Sequence, residues 1–107
     1  MDVKQPRPPR YSIAVTVQIA DQLSGRSITG KTSDVSLSGC YVLMKDTPET
    51  KSTVRIQLSY KGSTVTAYGD VVRVEAGKGV GLKFRTIAPD QLAVLKRWLF
   101  VLDKSDE

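Results

Sequence analysis

The chain has 107 residues, 40% hydrophobic and 25% charged, enough for one globular domain with a modest core and too few for two. Sixteen Lys and Arg against 11 Asp and Glu leave a net charge of +5, which favours an anionic partner: a nucleotide, a nucleic acid or an acidic protein face. There is no histidine, and a single cysteine, Cys40, excludes an internal disulfide and has no recognisable base or second thiol beside it, so the chain reads as a binding or interaction module and not an enzyme. MDVKQPRPPR lacks an apolar signal core and no apolar run reaches membrane-spanning length, which predicts a cytoplasmic protein with no membrane span.

Residues 1–10 carry Pro6, Pro8 and Pro9 among Lys4, Arg7 and Arg10, the composition of a stiff basic arm without regular structure of its own. Residues 11–104 then form the single domain. In YSIAVTVQIA (11–20), Ile13, Val15, Val17 and Ile19 alternate with small and polar residues, the period of a half-buried strand. DQLSG supplies a turn, RSITGKTSDV (26–35) a second strand and GCYVLMK (39–45) a third, before the loop DTPETK. Val54, Ile56 and Leu58 alternate through a fourth strand, Lys61-Gly62 makes a hairpin turn, and STVTAYGDVVRVEA (63–76) returns as a fifth, with a bend or bulge expected at Gly69. KGVGLKFRTI (78–87) is the sixth. Pro89 and Asp90 open a helix over 89–104, whose Leu92, Leu95, Leu99 and Leu102 recur at three- and four-residue steps beside Trp98.

Six short antiparallel strands and one amphipathic helix predict a small β-barrel, mainly β in class, because closure removes the sheet edges that would otherwise be exposed. The helix should cap one end of the barrel or pack on its side.

The stretch DVSLSGCYV, residues 34–42, places Asp34, Ser36 and Gly39 where two strands meet. One reading is a tight turn, in which Asp and Ser bond nearby backbone groups and Gly39 adopts positive φ. The other is a ligand site: a carboxylate suits the donor edge of guanine, and the arm's arginines suit phosphate oxygens or the guanine O6 and N7 acceptors. Cys40 reads as a small buried filler, and Trp98, Phe100 and the helix leucines as core and its border. Arg73, Lys83 and Arg85 read as solvated charges that extend the positive field, with Arg73 kept as a further candidate.

An arginine-bearing arm, then D-x-S-x-x-G at Asp34, Ser36 and Gly39, then Gly79, Gly81 and Phe84 in GKGVGLKF and a terminal helix, resembles the PilZ domain family of cyclic di-GMP receptors. The resemblance covers nearly the whole chain. It implies a six-stranded barrel, a bacterial cytoplasmic setting, and cyclic di-GMP, with no other cofactor, bound through Arg7, Arg10, Asp34, Ser36 and Gly39. It also implies a protein partner, in motility, secretion or signalling, to which binding is relayed. The family's arginine pattern is R-x-x-x-R, whereas this chain has Arg7-Pro8-Pro9-Arg10; if Arg10 takes the second place, Pro6 occupies the first. In a polyproline II arm, three residues per turn put Arg7 and Arg10 on one face roughly 9 Å apart.

Two rival functions fit the same fold. One is an interaction module that binds no nucleotide. The other is a basic barrel for single-stranded nucleic acid, against which stands the scatter of Tyr11, Tyr41, Tyr60 and Tyr68 over different segments.

Overall fold

The computed structural model describes residues 9–48 and 52–105. Six strands, β1 (Thr16–Asp21), β2 (Ser27–Val35), β3 (Gly39–Leu43), β4 (Thr53–Tyr60), β5 (Ser63–Glu75) and β6 (Gly79–Ile87), precede helix α1 (Pro89–Ser105). The strands close into an antiparallel barrel in the order β1-β2-β3-β6-β5-β4, with β4 returning to β1. This is the barrel and terminal helix that the alternation and the closure argument predict.

The inward residues are the apolar set of each alternating run: Val17 and Ile19, Val54, Ile56 and Leu58, Val65, Val71, Val80 and Leu82 are buried in one cluster. Between β4 and β5 the expected hairpin turn is present, with positive φ at both Lys61 and Gly62, the geometry whose twist matches that of the flanking strands.

The first strand is shorter than its alternation predicts. Regular pairing begins at Thr16, and Tyr11 makes only an isolated bridge to Val35. Between them, the buried Thr32 hydroxyl donates to the Ile13 carbonyl at 2.5 Å and accepts from the Val15 N–H at 2.8 Å, substituting for ladder bonds. The cause lies across the sheet, where the β2–β3 register shifts between Thr32 and Asp34 and interrupts β2 as a template.

Helix α1 closes one end of the barrel. The end of β4, the start of β5, the β2–β3 turn and the residues before β1 all lie at that end. Trp98 packs edge-on to Tyr60 with ring centroids 5.5 Å apart, and the Gln91 side chain accepts from the Thr66 N–H at 2.7 Å. Leu95, Trp98 and Leu99 complete the barrel core, Leu92 is half-buried, and of Leu102 only the helical backbone is described. Among the described residues no helix is long and apolar enough to cross a membrane.

Candidate functional site

The outward face of β2, β3, β6 and β5 carries an open concavity of about 650 Å³. Cross-strand pairing fixes what lines it. One row runs Asp34 (β2), Tyr41 (β3), Gly81 (β6), Arg73 (β5), and the next runs Lys31, Leu43, Gly79, Glu75. Both flanks of the groove depend on a one-residue insertion in a strand. In β2 the extra residue Ser33 lets Thr32 and Val35 both face the core while Asp34 turns outward. In β5 the extra residue Val72 does the same, sending Val71 and Val74 inward and Arg73 and Glu75 outward. Simple alternation continued from the buried Thr32 and Val71 would aim these charges at the core.

Arg10 reaches back over this face and clamps Asp34: its Nε lies 2.8 Å and its Nη2 2.6 Å from the same carboxylate oxygen, Oδ1. Two anchors hold the root of the arm, since Tyr11 and Val35 exchange both backbone hydrogen bonds at 2.9 Å. Arg10 is therefore fixed to the strand that carries Asp34. Arg7 and Pro6 lie outside the described residues.

Ser36 and Gly39 sit beside the groove as parts of the chain's turning point. Ser36 is fully buried; its hydroxyl accepts from the Ser38 N–H at 3.1 Å and donates to the Gly39 carbonyl at 3.3 Å, while its own N–H donates to that carbonyl at 2.8 Å. Gly39 does not take the positive φ that the turn reading expects; a side chain there would collide with the Leu82 carbonyl of β6, so glycine is needed for the close approach of β3 to β6. Of the five expected site residues, the structure brings Arg10 and Asp34 together in the groove and places Ser36 and Gly39 in the turn behind it.

Two groove residues lay outside the sequence motif. Tyr41 donates a hydrogen bond to Glu75 across β6. That bond holds the tyrosine hydroxyl above its ordinary pKa and Glu75 below the usual carboxylate value, with Arg73 beside Glu75 lowering it further. Arg73 pairs with Glu75 at 3.3 Å, and Arg85 with Asp70 at 2.5 Å. The available signal was alternation within GCYVLM, which sends Cys40, Val42 and Met44 inward and leaves a tyrosine and a leucine facing water. Cys40 is buried, as expected of a filler, and burial foremost, with the Asp34 charge adding, pushes its thiol up to about 12. Among the described residues no group of three His, Cys, Asp or Glu is placed to hold a metal ion.

A closed six-stranded barrel with a helix over one end and a basic arm rooted beside an acidic motif defines a class of small β-barrel domain. The chain matches the PilZ domain over residues 3–101, and it belongs to that family. Two solved structures share the fold. The PilZ domain of CeSA from a cellulose-synthesizing bacterium aligns with a TM-score of 0.71 at 22% identity, covering 89% of this chain and 98% of that one. The Bacillus subtilis inhibitor of motility, MotI/DgrA, aligns with a TM-score of 0.78 at 15% identity, covering 98% of this chain and 54% of that one. No curated protein matches the chain.

Proposed function

We propose that this domain is a non-catalytic receptor module for cyclic di-GMP, which passes the binding event to a protein partner in motility, secretion or signalling. The observation that carries the reading is the Arg10–Asp34 pair at the edge of a concave face, in a chain of the PilZ family. Guanine presents adjacent N–H donors that a carboxylate can accept, and Asp34 offers that acceptor. Arg10 offers donors in a planar fork, which suits phosphate or the guanine acceptors. Arg7 would add a second cation from the arm. Ser36 and Gly39 support the site by fixing the turn that follows Asp34. A thiol with a pKa of about 12 is no nucleophile at neutral pH, which fits binding without chemistry.

The ion pair also suggests how the event is relayed. A guanine edge must share or displace Arg10 at Asp34, so ligand entry acts on the arm. The next residue, Tyr11, lines a cleft with Leu37, Leu99 and Phe100 of the turn and helix. Displacing the Arg10 side chain from Asp34 would act on the neighbouring Tyr11, and α1 is the element through which a relay along this cleft would pass.

Titration calorimetry with cyclic di-GMP tests the reading. Saturable binding that weakens about ten- to a hundredfold in Asp34→Ala is expected, since hydrogen bonds to charged groups contribute about 1.5–3 kcal/mol. No heat at high micromolar ligand would overturn it in favour of an interaction module that binds no nucleotide.

A further inference from the structure

Tyr41 fills the middle of the groove in an unusual way for an outward strand residue. It leans from β3 across β6 instead of standing away from the sheet. A methyl group built on Gly79 would lie 2.8 Å from the ring's Cε2 and 3.0 Å from its hydroxyl, and one on Gly81 would lie 3.9 Å from Cδ1. One face of the ring thus rests on side-chain-free backbone, and the hydroxyl is tied to Glu75 on the far side. Tyr41 is half-buried and lines the concavity together with Leu43 and Val72, which are 46% and 44% exposed. Core packing does not account for this placement, because the flanking Cys40 and Val42 already supply β3's inward side chains at full burial.

An aromatic ring with backbone beneath it, a fixed tip and a position lining an open concavity is a surface on which a flat base can stack. Its neighbours match such a ligand: Asp34 is its direct cross-strand partner on one side, and Arg73 stands beyond Gly81 on the other. We propose that Tyr41 is a stacking platform for a guanine base in this groove, with Glu75 as the positioning residue that holds the ring flat. The inference rests on the cyclic di-GMP reading and adds a subsite to it. Stacking accepts any planar base, so the platform supplies affinity, while Asp34 selects for guanine. Fixing the ring before the ligand arrives reduces the ordering cost of binding.

The test is calorimetry with cyclic di-GMP on wild type, Tyr41→Ala, Tyr41→Phe, Glu75→Ala, Glu75→Gln and Asp34→Ala, with a thermal melt of each variant. Tyr41→Ala should lose about tenfold or more in affinity, and Tyr41→Phe, which keeps the ring, should lose less. Glu75→Ala should weaken binding, and Glu75→Gln, whose carbonyl still accepts the hydroxyl, should restore it. In wild type the Tyr41 ring protons should move upfield in NMR spectra as the base covers them. If Tyr41→Ala binds like wild type while Asp34→Ala binds at least tenfold more weakly, the platform is wrong and the receptor reading stands. Equal losses in Tyr41→Phe and Tyr41→Ala would also overturn stacking, in favour of a hydroxyl contact. A wild-type protein that does not bind overturns both.

Discussion

The two sides of this barrel are built differently. Where β1 meets β4 the register runs unbroken from Thr16↔Ser59 to Asp21↔Val54, and β4 pairs β5 without a slip from Thr53↔Asp70 to Tyr60↔Ser63. The outward residues there include Thr16, Gln18, Arg55 and Ser59, exposed and polar. On the other side, β2–β3 slips once and β5–β6 slips twice. The outward face there holds two glycines, a recumbent tyrosine and charges that depend on inserted residues to face water. Regular pairing builds a scaffold, and interruptions of it aim Asp34, Arg73 and Glu75 into one groove. Without the register shifts at Ser33 and Val72, alternation continued from Thr32 and from Val71 would turn Asp34, Arg73 and Glu75 toward the core.

The contrast is sharpest where stability and binding separate. Ile56, fully buried in the regular half, should dominate stability: Ile56→Ala is expected to cost about 2–5 kcal/mol in denaturant unfolding through lost burial and the cavity left behind. Asp34→Ala removes a half-exposed ion pair, worth about 0.2–1 kcal/mol, so its melt should stay near wild type while its cyclic di-GMP affinity falls at least tenfold. Arg10→Ala should lose more affinity than Arg7→Ala, because the Tyr11–Val35 bonds anchor Arg10 to the barrel. Ser36→Ala breaks the contrast in an informative way: it removes the hydroxyl that accepts from the Ser38 N–H and donates to the Gly39 carbonyl, and should cost about 0.5–1.5 kcal/mol of stability per lost bond, so any affinity it loses must be measured well below its melt.

The smallest effect is a titration. Glu75 is lowered below its ordinary 4.5, so the stabilisation from its bond with Tyr41 is present above that value and lost as pH falls through the folded pKa. Tyr41 is raised above 10.0, so the contribution is present below that value and lost as pH rises through its folded pKa. The tie therefore holds across neutral pH and fails at both extremes. Ultraviolet titration of tyrosinate in wild type should show a late-ionising component that moves to lower pH in Glu75→Ala.

What the sequence made legible follows the same division. Val54, Ile56 and Leu58, the Lys61-Gly62 turn and the leucine steps of α1 were readable because period-2 and period-3.6 patterns follow directly from burying one face. Gly69 gave away a bend, and the β5–β6 register does shift between Tyr68 and Gly69. The insertions at Ser33 and Val72 left no mark, since neither residue type signals a bulge. The true start of β1 was hidden for a related reason: it depends on the side chain of Thr32, 16 positions after Thr16, and local alternation cannot register that. The motif residues occupy two different places. Ser36 and Gly39 have a full structural account in the turn, whereas Arg10 and Asp34 face the groove. Tyr41 and Glu75, 34 positions apart, meet only through the pairing of β3, β6 and β5.

The most direct test of the account is an amide NMR titration of the 107-residue chain with cyclic di-GMP. Saturable shifts are expected to concentrate at Arg10, Asp34, Tyr41, Arg73, Glu75 and Gly81, with β1 and β4 unmoved at Gln18, Arg55 and Gln57. Saturable shifts centred on β1 and β4, or none on the bulged face at saturating ligand, would contradict it.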